Sequence, residues 1–402
     1  TAWRRNLWFS DVDRHWQEEA PAMKEPHFEH DFKYYEKAYY RLRRYMLKGK
    51  DPVALSLEAA HETGKSFFIS YRMNDHHYLD SPQNPCHNTF WREHPEYQFM
   101  PEVAVTTQSH GYFNYLFDPV RRYYFQILHE LVSRYDIDGL ELDFMRSPFF
   151  FPDPNTGRPV MTGFVRSVRQ MLDRYAAERK RPLPLCIRVP HEYHRCEQAG
   201  LDVSAWAKEQ LVDMVNISSY YINDPDLDFA AYRKHMPQAL LFGEMHFIVD
   251  HGEMPGPYTN NVTRKTSREM YYAMAERYWA DGADGLSFFN FDYVRHHHFN
   301  EPRRKWIRDS EPPFDVPGAV MDRERLAGLP KHYYWRANKL RQNPNGMLTL
   351  NFSLPANLQV YPSAILRIVT EDPYVAQQVD VQLNQRSEER RVGKGCRSRG
   401  AP

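Results

Sequence analysis

The stretch "YDIDGLELDFMRSPFFF", residues 135–151, has the composition of a buried strand and yet carries two acidic residues. Leu140 and Leu142 alternate in it with Glu141 and Asp143. Because successive side chains of a strand point to opposite faces, this alternation predicts one apolar face and one acidic face. The acidic face must then meet polar partners, since an unpaired buried charge costs several kcal/mol.

Short apolar runs of the same kind recur along the chain and alternate with longer amphipathic stretches. The runs are "SFFISYR" (66–72), "YFNYLF" (112–117), "GLELDF" (139–144), "PLCIRV" (184–189), "DMVNIS" (213–218), "ALLFGEM" (239–245) and "GLSFFNF" (285–291). Helical periodicity lies between them at 118–135, 163–180 and 267–282. This spacing is typical of strand–helix units around a parallel sheet. It predicts an α/β fold, a (β/α)8 barrel over residues 1–345, whose first strand is "RNLWFSD" or lies upstream of Thr1.

The texture of the sequence changes after the barrel. Residues 346–385 contain alternating runs such as "AILRIVT" with Pro-rich joints, and they predict a partial β-sandwich domain. Residues 386–402, "RSEERRVGKGCRSRGAP", contain six basic residues, two glutamates and almost nothing apolar, so they cannot pack a core. This last segment resembles a translated adaptor or vector tail, and we expect it to be disordered.

Composition excludes several classes of function. The 402 residues include 52 basic and 52 acidic ones, so the charge gives no support for nucleic acid or an anionic membrane as a partner. No apolar run approaches the roughly 18 to 20 residues that span a bilayer. The four cysteines show no CxxC spacing, so neither a disulfide framework nor a structural zinc site is predicted.

The start of the chain carries neither an initiator Met nor a signal-peptide pattern, which indicates a processed product or a fragment. Compartment and oligomeric state do not follow from the sequence. A periplasmic or extracellular location is slightly favoured if a signal peptide was removed.

The same alternation orients the other predicted strands. In each of them polar residues share the inner face while β-branched or aliphatic neighbours face the helices. The residues predicted to point inward are Ser70, Arg72, Asn74, Arg188, Asn216, Ser218, Tyr220, Glu244 and His246. Such groups must pair with one another or bind a polar ligand.

Three carboxylates are the candidate catalytic residues. Asp143 lies at the carboxyl end of its strand, where active sites of this fold occur, and Glu141 lies about 7 Å deeper. Glu244 ends another strand, after a glycine that allows close packing. The alternative is a structural ion-pair network, and we predict that Arg188 is bonded to Glu141 or Asp143.

The candidate substrate-binding residues lie at or near strand ends. They are Arg72, Asn74, Asp75, Arg146, Arg188, Glu192, Tyr220, His246, Asn290 and Asp292. Aromatic residues make up 15% of the chain, and rings beside a cleft suit sugars. No metal site or other cofactor is predicted, because adjacent histidines on extended chain point apart and no HExxH, GxGxxG, P-loop or GxSxG motif occurs.

"DGLELDFMRSP", together with "FFISYRMND", "IRVP" and "GADGLSFFNF" in matching order, resembles the glycosyl-hydrolase-like 10 family over roughly residues 52–300. The resemblance implies a barrel that acts on carbohydrate and is often followed by a β-sandwich. Retaining barrel glycosidases place their acids after strands four and seven, where Asp143 and Glu244 fall. The Asn-Glu pair usual at strand four in that clan is missing here.

These observations favour a glycoside hydrolase that uses two carboxylates, with Asp143 and Glu244 as the first choice of pair. One alternative is a carbohydrate-binding barrel without catalysis. Another is a polysaccharide lyase with Tyr220 or a histidine as base. The inward residues Arg72 and Arg188 suggest an acidic sugar, or they serve as internal salt-bridge partners.

Overall fold

The computed structural model describes most of the chain between residues 44 and 334 and short pieces beyond it. The described residues are 12, 41–42, 44–75, 79, 87–101, 111–145, 147–220, 222–250, 263–291, 312–334, 341–342, 348–349, 354–355, 382–383 and 386–387.

The strands divide into one parallel sheet and four short antiparallel pairs. In chain order they are β1 (Phe68–Arg72), β2 (Gln98–Phe99), β3 (Tyr112–Phe113), β4 (Gly139–Asp143), β5 (Leu185–Pro190), β6 (Met214–Ser218), β7 (Leu240–His246), β8 (Ile248–Asp250), β9 (Thr263–Lys265), β10 (Gly285–Phe289), β11 (Arg341–Gln342), β12 (Leu348–Thr349), β13 (Gln382–Leu383) and β14 (Arg386–Ser387). The parallel sheet has six strands in the order β1-β4-β5-β6-β7-β10.

Helices connect these parallel strands, as the alternation of patterns predicts. They are Pro52–Glu62, Thr89–Glu93, Asp118–Arg134, Pro154–Arg179, Tyr193–Gln198, Val203–Lys208, Phe229–His235, Arg268–Ala280, Val316–Met321 and Arg323–Gly328. The longest, Pro154–Arg179, begins nine residues before its apolar periodicity because Asp153 caps it, accepting bonds from the backbone N–H groups of Asn155 and Thr156. Pro at the first helical position favours the same start.

The apolar face of each strand is buried against the helices. Leu140, Leu142, Ile187 and Val189 are all fully buried. At Gly243 a Cβ atom would lie 2.5 Å from the Tyr278 ring, so glycine allows the closest helix contact on β7. The predicted orientation of these strands is therefore confirmed.

The polar face of the sheet is concave. The Arg188 guanidinium on β5 lies 3.9 Å from the centre of the Phe289 ring on β10. Three strand spacings in a flat sheet would separate the two backbones by roughly 14 Å, so the sheet must curl to bring them into contact.

The structure corrects one predicted strand of the sheet. In the run "YFNYLF", Tyr112–Phe113 pairs antiparallel with Gln98–Phe99, and β1 pairs directly with β4. The reason is local, because Asn114 accepts bonds from the backbone N–H groups of Leu116 and Phe117, through its side chain and its carbonyl, and so turns the chain. The six described parallel strands thus form part of the predicted barrel.

Other parts of the predicted domain plan stay predictions. The run "RNLWFSD" lies outside the described residues, and only β12, residues 354–355 and β13 are described within 346–385. In the segment 386–402, Arg386–Ser387 pairs antiparallel with Gln382–Leu383, and the residues after it lie outside the described part of the chain.

Candidate active site

Arg188 is the centre of a buried network on the concave face. Its Nη1 donates to Oδ1 and Oδ2 of Asp143 at 3.0 and 3.1 Å. Its Nε and Nη2 donate to Oε2 and Oε1 of Glu244 at 2.6 and 2.8 Å. Nη2 also lies within bonding distance of the Ser218 hydroxyl and the Tyr220 carbonyl. The prediction that Arg188 bonds to Glu141 or Asp143 is confirmed for Asp143.

Glu244 is the most completely bonded carboxylate of the network. Besides Arg188, it accepts bonds from the Ser218 hydroxyl and, at 3.1 Å, from Nδ2 of Asn216. Burial by itself would raise the pKa of Glu244, but the charge of Arg188 outweighs it and the pKa is lowered. Glu244 is 1% exposed, so it is a buried anion within this network.

Asp143 joins the network to the loop that follows its strand. Its Cα is in register with those of Arg72 on β1 and Arg188 on β5. Its Oδ1 also accepts a bond from the backbone N–H of Met145 at 2.9 Å. The carboxylate thus sits where β4 ends, as the sequence predicts.

Glu141 has a different environment from the two other acids. The hydroxyl of Ser70 donates to its Oε1 at 2.5 Å, and the thiol of Cys186 donates to its Oε2 at 3.3 Å. Desolvation, reinforced by the charge of Asp143, raises the pKa of Glu141. Protein atoms surround the carboxylate densely, and yet the residue keeps some exposed surface beside the exposed Ser70.

His246 lies at the end of β7, fully buried. Its backbone N–H donates to the Oδ1 atom of Asn223, and its carbonyl accepts from Asn223 and from the Thr266 hydroxyl. Nε2 of its ring lies 3.0 Å from Oε1 of Glu244, but not in hydrogen-bond geometry, and both ring nitrogens lack a partner. Burial lowers the pKa of His246, which favours the neutral ring.

The predicted residues after β1 hold the rim together. Arg72 pairs with Asp75 through Nη1 and Oδ2 at 3.2 Å. The side chain of Asn74 donates to the carbonyls of Phe113 and Phe149, at 3.2 and 2.7 Å. Asn74 therefore supports the loops around the site.

Two predicted residues have left-handed backbone at strand ends. Tyr220 follows β6 with a φ of 80°, and Asn290 follows β10 with a φ of 51°. For Tyr220 the conformation is held in place, because its N–H donates to Ser218 and its carbonyl accepts from Arg188. Such strained backbone is common at functional sites.

The remaining predicted residues do not join the network. Glu192 precedes the helix Tyr193–Gln198 and pairs with Arg195. Arg146 and Asp292 lie outside the described residues.

Three partners in the site were not among the predicted site residues. Cys186 and Asn216 sit at inward positions that alternation identifies, but neither residue type suggested a role beside a carboxylate. Asn223 lies in a loop, and no pattern in the sequence indicates that it holds the backbone of His246.

Two further features concern the described residues alone. None of their His, Cys, Asp and Glu side chains forms a group of three or more that could hold a metal ion. No helix among them is both long and apolar enough to cross a membrane.

Parts of the chain are similar to solved structures of glycoside hydrolases. A family 18 N-acetylglucosaminidase from Paenibacillus barengoltzii has 13% identity and a TM-score of 0.33, over 44% of this chain and 72% of that one. An alpha-L-fucosidase from Paenibacillus thiaminolyticus has 16% identity and a TM-score of 0.39, over 60% and 36%. A multi-modular chitinase from a Paenibacillus species has 11% identity and a TM-score of 0.40, over 72% and 30%. No protein-family model and no curated protein sequence matches the chain.

Proposed function

We propose that this protein is a glycoside hydrolase whose site is the concave face of the parallel sheet. The observation that carries the proposal is the unlike setting of Glu141 and Asp143, two residues apart on the same face of β4. Glu141 is bonded to neutral groups and has a raised pKa, whereas Asp143 is paired with Arg188. Two carboxylates whose environments separate their protonation states suit the acid and the anion of glycoside hydrolysis.

In this proposal Glu141 gives its proton to the glycosidic oxygen as the bond to the anomeric carbon breaks. A carboxylate oxygen of Asp143 stabilises the positive charge that develops on the sugar. It then either bonds to the anomeric carbon or takes a proton from the attacking water. In both routes the net reaction adds one water molecule across the glycosidic bond.

Glu244 has a positioning role in this scheme and does not act as the acid. A buried carboxylate that accepts two bonds from Arg188 and one from Ser218 is poorly suited to donate a proton. By holding Arg188, Glu244 fixes the guanidinium that in turn fixes Asp143. This assignment replaces the pair Asp143 and Glu244 favoured by strand position alone.

A screen of purified protein against polysaccharides tests the proposal. We expect new reducing ends without unsaturated products from at least one glycan. Glu141→Gln and Asp143→Asn should each lower that turnover about a hundredfold or more. Glu209→Gln is the matched control, because Glu209 pairs with Arg166 on the surface and should leave turnover unchanged. Near-normal turnover in Asp143→Asn would overturn the assignment.

A carbohydrate-binding barrel without catalysis is the second candidate. The burial of the Asp143–Arg188–Glu244 network favours it, because such a network also serves as structural support. Sugar binding without release of reducing ends would establish it. A lyase is supported less, since Arg72 and Arg188 both pair with acids, and neither is left to neutralise a uronate.

A further inference from the structure

Two buried side chains beside Glu244 have polar atoms without partners. His246 is fully buried and neither ring nitrogen is bonded, and Asn216 is 8% exposed and has an unbonded Oδ1. Buried polar groups in proteins are nearly always hydrogen-bonded, and an unsatisfied one is destabilising. The two side chains lie on the adjacent strands β6 and β7, and both contact the Glu244 carboxylate.

A hydroxyl group fits these free atoms. Oδ1 of Asn216 can only accept a hydrogen bond, whereas a neutral imidazole has one nitrogen that donates and one that accepts. A hydroxyl donates one bond and accepts others, so it can satisfy both side chains. A carboxylate or sulfate group cannot donate to Asn216.

The charges nearby disfavour an anionic ligand. Both inward-facing arginines of the described residues are paired, Arg188 with Asp143 and Glu244, and Arg72 with Asp75. The described concave face thus has more acidic than basic side chains even without Glu141. A uronate or sulfated sugar would meet net negative charge there.

We propose that the site takes an uncharged sugar, and that Asn216 and His246 bind one hydroxyl group of that sugar. The inference rests on the proposed function, since it names the substrate class of the same site. It also decides between the two roles that the sequence left open for Arg72 and Arg188, in favour of internal ion pairs.

Matched sugar pairs test the charge of the ligand. β-1,4-Linked tetramers of glucose and glucuronate differ only at C6, and so do those of mannose and mannuronate. Calorimetric titration into Glu141→Gln protein measures binding whether or not turnover exists. We expect at least one neutral tetramer to bind, at least tenfold more tightly than its acidic counterpart. Equal or tighter binding of the acids, or binding of none of the four, overturns the inference.

A variant of His246 tests the hydroxyl contact. His246→Phe removes both ring nitrogens and leaves the backbone bonds to Asn223 and Thr266 possible. We expect the melting temperature to hold or rise, because no ring hydrogen bond is lost, while affinity for the neutral tetramer falls about tenfold. His246→Asn, which restores a donor and an acceptor, should recover part of the affinity and is the second variant if Phe does not fold.

Other outcomes separate this inference from the proposed hydrolase. A lower melting temperature in His246→Phe with unchanged affinity would show a structural histidine and overturn the hydroxyl contact. Tight binding of a neutral tetramer by wild-type protein, with loss in His246→Phe but no cleavage, supports the contact and contradicts the hydrolase.

Discussion

At the scale of single residues, Arg188 holds two carboxylates that the sequence places on strands far apart in the chain. One guanidinium donates to Asp143 and to Glu244, and all three side chains are almost fully buried. Removing one partner of such a network leaves charges buried without compensation, which is far more costly than removing all of them together.

We therefore expect Arg188→Met to lower the free energy of unfolding by about 3 to 5 kcal/mol. The triple variant that adds Asp143→Asn and Glu244→Gln should recover part of this loss, because the uncompensated charges are gone. Urea denaturation at pH 7 measures both variants. A loss below 1 kcal/mol in Arg188→Met would mean that the network contributes little.

Glu141 predicts a pH dependence of the opposite sign to that of Glu244. Because the folded-state pKa of Glu141 is raised, its contribution to stability is most favourable at low pH and is lost as pH rises through that pKa. Glu244, with its lowered pKa, contributes stability above the ordinary Glu pKa of about 4.3 and loses it as pH falls.

Glu141→Gln should accordingly be more favourable at pH 8 than at pH 5, relative to wild type. Urea midpoints of both proteins at the two pH values measure the effect, with Glu209→Gln as the exposed control. A difference between variant and wild type that does not change with pH would contradict the raised pKa.

At the scale of elements, alternation along each strand predicted the inner and outer faces of β1, β4, β5, β6 and β7. It could do so because one face is purely apolar. Alternation could not orient β10, whose residues are mostly aromatic, and the register now places Ser287 opposite Glu244 and Phe289 opposite His246. The run 112–117 misled because a turn at Asn114 ends a strand that its composition favours.

Gly243 provides a test of the packing between β7 and the helices. Gly243→Ala would place a Cβ atom 2.5 Å from the Tyr278 ring and 2.9 Å from Phe229, so we expect a loss of about 1 to 3 kcal/mol. Gly163→Ala is the control, because Gly163 lies within the helix Pro154–Arg179 with nothing within 4 Å of its Cβ position. Alanine there should stabilise by up to about 1 kcal/mol. Equal melting temperatures for the two variants would contradict this packing.

At the scale of the whole molecule, the alternation of strands and helices predicted a parallel α/β sheet and the face that carries the acids. The way those acids share Arg188 was beyond prediction, because it depends on how strongly the sheet curls. The loop contact of Asn223 with His246 depends on tertiary position alone.

The segment 386–402 gives a test at this scale. We expect truncation after Gln385 to leave the melting temperature within error, since the removed residues have almost no apolar side chains to pack. Differential scanning calorimetry of both lengths measures it. A drop of several degrees would show that the pairing of Arg386–Ser387 with Gln382–Leu383 belongs to a stable domain.

The most direct test of the central claim compares leaving groups on the sugar that the screen identifies. An activated aryl glycoside needs no proton donor for its leaving group, whereas a polysaccharide does. If Glu141 is the acid and Asp143 the anion, Glu141→Gln should lose about a hundredfold or more of kcat/KM on the polysaccharide and far less on the dinitrophenyl glycoside. Asp143→Asn should lose both. Equal losses of Glu141→Gln on the two substrates, or no loss on either, would contradict the assignment.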